Sequence, residues 1–65
     1  MTLMEQVADE LAQETIRKID AGANESLVRH VADAIQTASQ TMEEAYLTAI
    51  RIRHAEARAV LSTVA

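Results

Sequence analysis

Histidine and carboxylate side chains at helical spacing are the first places where this chain could hold chemistry. His30 and Asp33 stand three residues apart, and His54 lies two before Glu56. Metal centres in helical bundles repeat a Glu-x-x-His pair on facing helices, and that spacing does not occur here. With no cysteine in the sequence there is no thiolate ligand and no disulfide. Asp9–Glu10 and Glu43–Glu44 are adjacent carboxylates, which on a helix point to different sides and cannot work as an acid–base pair within one chain. The hydroxyls of Thr37, Ser39, Thr41 and Thr48 have no His or Lys placed to activate them. These groups read as solvated or capping side chains, and the expectation is a non-enzymatic protein with no metal and no cofactor.

One cluster could recognise a partner. Arg51, His54 and Arg58 fall on one helical face, with Arg53 around the side. The planar guanidinium suits phosphate or carboxylate, so the four form a possible anion or partner patch. Three arginines are few for nucleic acid, and stacking aromatics are missing, since Tyr46 is the one aromatic residue. Nucleic-acid binding by a dimer, which would double the patch, is therefore the alternative reading. His54 sits within an apolar row, where burial at an interface would make assembly sensitive to pH; an exposed rim position is the simpler expectation.

The elements that carry these residues are helical. The chain has no Pro and one Gly, and good helix formers dominate it. Thr2 followed by Glu5 spells a capping box for a first helix over about 3–20. Met4, Val7, Ala8, Leu11, Ala12, Thr15, Ile16 and Ile19 make its apolar face, and Glu14–Lys18 is a favourable i,i+4 pair. The turn signal lies at 21–24, with Gly22 suited to a left-handed helix end and Asn24 to capping the next helix.

A second helix is expected from about 25 to 63. Val28, Val31, Ile35, Ala38, Met42, Ala45, Ala49 and Ile52 step along it at threes and fours, the seam of a helix packed on a helix. Thr41 with Glu44 offers a second capping box, and a break near 39–41 would give a monomeric three-helix bundle instead. The uninterrupted seam favours continuity: a helix of roughly 58 Å against about 28 Å for the first. Helix 1, expected antiparallel to it, would then cover only its first half. A second apolar row, Leu47, Ile50, His54, Ala57, Leu61 and Val64, would be left wet, more than a soluble monomer tolerates.

Sixty-five residues make one small domain, and an alanine-rich core without disulfides or aromatic bulk points to oligomerisation for support. The net charge of −4 is uneven. Residues 1–50 carry nine acids against Arg17, Lys18 and Arg29, while 51–65 carry three arginines against Glu56. No run approaches a membrane span and no signal peptide is read at the start, so a soluble cytoplasmic protein is expected.

The fold class expected is all-α: an antiparallel hairpin with a short first and long second helix, self-associating into a coiled-coil-like bundle. The function expected is that of a small acidic adaptor, working by homo-oligomerisation and docking to a larger protein. Its interface is assigned to Val28, Val31, Ile35, Met42, Ala45, Tyr46, Leu47, Ala49, Ile50, Ile52, Ala57 and Leu61.

Overall fold

The computed structural model describes residues 2–64, with side chains through Thr63. The described residues form three α-helices: α1 over Leu3–Asp20, α2 over Leu27–Ala38 and α3 over Gln40–Val64. The molecule is all-α.

The start of α1 is the capping box the sequence spells. Thr2 Oγ1 accepts from the Glu5 backbone N–H at 3.1 Å, and the Glu5 carboxylate accepts from the Thr2 backbone N–H at 3.3 Å. The bond from the Thr2 N–H, with a second from the Thr2 hydroxyl at 3.0 Å, holds the Glu5 carboxyl below its ordinary range. At the other end Gly22 takes φ +116°, a region closed to most side chains. Around it the Gly22 N–H reaches the Ile19 carbonyl and the Ala23 N–H reaches that of Lys18, the two bonds of a Schellman motif. Asn24 Oδ1 then accepts from the Ser26 N–H at 2.8 Å, and tight bonds from Leu27 to Asn24 and Val28 to Glu25 lead into α2. Asn24 thus organises a turn ahead of the helix, which becomes regular at Leu27 and not at Glu25.

The long second helix expected over 25–63 is corrected by the structure. The chain breaks at Ser39, whose φ of −160° and ψ of 111° are extended. The three helices and a break within 39–41 are those of the alternative reading, but the cap is Ser39 and not Thr41: its Oγ accepts from the Met42 N–H at 3.1 Å. Burial gives the physical reason. Folded back at Ser39, α2 lays Val28, Val31, Ala32 and Ile35 toward the core that includes Tyr46, Ala49 and Ile50 of α3. A straight helix would leave that face in water, so intramolecular cover outweighs the lost helical continuity.

The packing order also differs from expectation. Both α1 and α2 pack on α3, and α1 and α2 touch each other little. Helix α1 therefore covers a stretch of α3 beyond the break, not the segment that comes next in sequence. The centre consists of Ala8, Ala12, Ala32, Ala49 and Ile50 around Tyr46, which is 0% exposed. Small residues on all three helices make room for the one large ring. At 41 × 28 × 13 Å the fold is flat.

Candidate interaction surface

Helix α3 is the element on which every candidate residue past Ile35 sits, and its exposure changes along its length. Met42, Tyr46, Ile50, Arg53, Ala57 and Leu61 follow one another at threes and fours and share a face. Met42 is half-buried, Tyr46 and Ile50 are buried, Arg53 is half-buried, Ala57 is exposed and Leu61 is 71% exposed. One stripe thus begins as core and ends in water. Its cover runs out where Ile16, Ile19 and Asp20 of α1 meet Arg53, His54, Glu56 and Ala57 around a shallow depression of about 300 Å³. From His54 to Thr63 every residue is exposed, Val60 at 56% among them. The side chain of Val64, the last of the second apolar row, lies outside the described residues.

The interface residues assigned from sequence divide into two groups. Val28, Val31, Ile35, Met42, Ala45 and Leu47 are partly buried and pack against the core, while Tyr46, Ala49 and Ile50 are the core. These nine serve contacts within the chain. Ile52 (60% exposed), Ala57 and Leu61 remain on the surface. Tyr46 is the plainest departure. Expected at an interface with its hydroxyl at the rim, it is enclosed, and its hydroxyl donates to Thr15 Oγ1 at 2.8 Å. Thr15 in turn donates to the Leu11 carbonyl at 2.8 Å. Burial pushes the Tyr46 phenol above its ordinary pKa.

The basic cluster is divided as well. Arg53 turns onto α1: its Nε donates to Asp9 Oδ1 at 3.1 Å and its Nη2 to Asp9 Oδ2 at 2.7 Å, a two-pronged pair. Glu56 Oε1 lies 3.7 Å from Arg53 Nη1. The Arg53 guanidinium, with a second donor from Gln13 Nε2 at 2.9 Å, holds the Asp9 carboxyl below its ordinary range. Arg51, His54 and Arg58 remain exposed.

Thr15 and Asp9 are the partners that the sequence pattern did not single out. A signal for the first was present: a lone hydroxyl on the apolar face of helix 1 and a lone phenol on that of the long helix satisfy one another when buried. Asp9 gave no such signal, because it lies on the polar side of its helix beside Glu10. Among the described residues no three His, Asp or Glu side chains gather as a metal site would need, and no helix is long and apolar enough to cross a membrane.

No protein-family model, no curated protein and no solved structure matches this chain.

Proposed function

We propose that this protein is a small non-enzymatic assembly module that associates with further copies of itself through the C-terminal half of α3. The observation that carries the reading is the stripe through Tyr46, Ile50, Arg53, Ala57 and Leu61, core at one end and wet at the other.

Size supports it. The accessible surface is 4814 Å², against roughly 4,100 Å² for a compact folded chain of this mass. The radius of gyration is 12.4 Å, against roughly 11 Å for a compact domain of this length. The excess area, roughly 700 Å², is close to the roughly 800 Å² that each partner buries in a standard interface. Charge favours a second copy as the occupant. The exposed end carries Arg51, His54 and Arg58, whereas the body through residue 50 holds nine acids against three bases. The tail of one copy laid along the body of another joins opposite charges; tail beside tail would join like ones.

Leu61→Asp tests this face. The position is open to water, so the chain folds as before, but a charge now stands where the stripe must be desolvated. Light scattering is expected to show the oligomer weakened at least tenfold, while Glu10→Ala on the far side of α1 leaves the mass unchanged. An equal mass for Leu61→Asp and the parent at every concentration counts against the assignment. A parent that is monomeric throughout would transfer the face to a larger protein partner. Nucleic-acid binding, the alternative from sequence, loses support because Arg53 is already engaged by Asp9.

A further inference from the structure

The join between α2 and α3 is one residue long. Only Ser39 leaves the helix, in an extended geometry that any residue adopts, and no Gly or Pro stands between Thr37 and Thr41. The apolar register runs through it: Ile35, Ala38, Met42 and Ala45 continue at threes and fours as if the helix had not stopped. The same sequence therefore supports a bent form, as observed, and a straight form in which α2 and α3 fuse through residue 39. Locally the bend is held by one cap, the 3.1 Å bond from the Met42 N–H to Ser39 Oγ.

Straightening has a forced consequence. Helix α2 is about 18 Å long, and straightening swings its whole length away from α3. Residues 21–26 tie the end of α1 to the start of α2 with a reach of at most about 25 Å, so in the exchange α1 travels with α2. The packing of both helices on α3 and the Ser39 cap are what hold the bent form. The faces they would strand, Val28, Ala32 and Ile35 on α2 and Ala8 and Ala12 on α1, are shaped to fit α3 of this same chain. A second copy supplies that surface.

We propose that two copies exchange residues 2–38 about Ser39, each α1–α2 unit packing on the partner's α3. The packing of α1 and α2 on α3 then re-forms between chains, including pairs equivalent to Asp9–Arg53 and Thr15–Tyr46, and each copy exchanges the Ser39 cap for an unbroken helix. This association goes beyond the tail-mediated one and does not use the surface at Leu61. It reconciles a seam that reads as continuous with a chain that is bent.

The test uses the full chain in a Leu61→Asp background, which closes the tail route. Proteins refolded from urea at equal concentration are compared by light scattering, with circular dichroism confirming that each is helical. Ser39→Ala removes the cap and favours the straight form by about fivefold per hinge, hence about 25-fold in the dimer dissociation constant, since two hinges open. Gln40→Pro acts the other way. Proline suits the first position of α3 and holds residue 39 extended, yet it breaks a helix that runs through. Dimer is expected to rise with Ser39→Ala and to vanish with Gln40→Pro. A monomeric Ser39→Ala protein, or equal dimer in Gln40→Pro and its parent, overturns the exchange. Ser39→Gln, which also lacks the cap, replaces the alanine variant if that variant misfolds. Loss of association by Leu61→Asp alone bears on the tail face and leaves the hinge result to be read separately.

Discussion

Asp9 accepts from two N–H groups of Arg53 and one of Gln13, and among the described residues its pair with Arg53 is the one ion pair that ties α1 to α3. Its folded pKa lies below the ordinary carboxylate value, so the tie contributes stability above that value and loses it as pH falls through the depressed one. Glu5, held down by Thr2, acts in the same sense. Urea midpoints measured from pH 7 downward should therefore drop below about pH 4. Asp9→Asn should lower the midpoint at neutral pH and flatten that acid limb, and a limb of unchanged steepness would remove Asp9 as its cause. Tyr46 poses a different question, because its ring and its hydroxyl do separate work. Tyr46→Phe keeps the ring among its alanines and leaves Thr15 donating to Leu11, so the cost should be about 0.5–1.5 kcal/mol in urea denaturation. A neutral result would mean that the hydroxyl bond adds nothing beyond the packing.

At the scale of elements, helix ends decide more than helix interiors. The Schellman turn at Gly22 depends on backbone freedom alone, since a Cβ built there meets nothing within 4 Å. Gly22→Ala should accordingly destabilise by about 1–2 kcal/mol through the left-handed backbone and not through any clash. Stability restored by Gly22→Asn, which tolerates that region better, would support the same cause. Ends were also where the sequence was most and least readable. The Thr2–Glu5 box and Gly22 announce themselves through residue types that few other conformations need, and both stand where the spacing places them. Ser39 does not. It lies in a run with no Gly or Pro, on a seam that continues past it, and although a break near 39–41 is legible from the capping residues, the gain from folding α2 back on α3 decides for the bend. That gain is a property of three helices together, which a local pattern does not contain. The same fact explains why nine of the residues assigned to an interface pack within the chain. Tyr46, Ala49 and Ile50 carry the spacing of a packed face, and spacing does not tell a partner in the same chain from one in another.

On the scale of the whole molecule, the fold is 13 Å across its shortest axis, and its longest helix overruns its neighbours. Its apolar core is one large ring, one isoleucine and four alanines among the described residues, slender for an independent domain. The stripe that supplies this core continues uncovered to Leu61, and the charge of the chain is divided so that its two ends attract. The self-association proposed above would cover the open stripe and support the thin core. The most direct measurement is mass in solution, by light scattering behind a sizing column, over a wide range of loading concentrations. The mass is predicted to rise from that of one 7.1 kDa chain to at least twice that value as concentration increases, with Leu61→Asp shifting the rise to higher concentration. A mass fixed at one chain across the whole range, with the parent and Leu61→Asp superimposed, would contradict self-association.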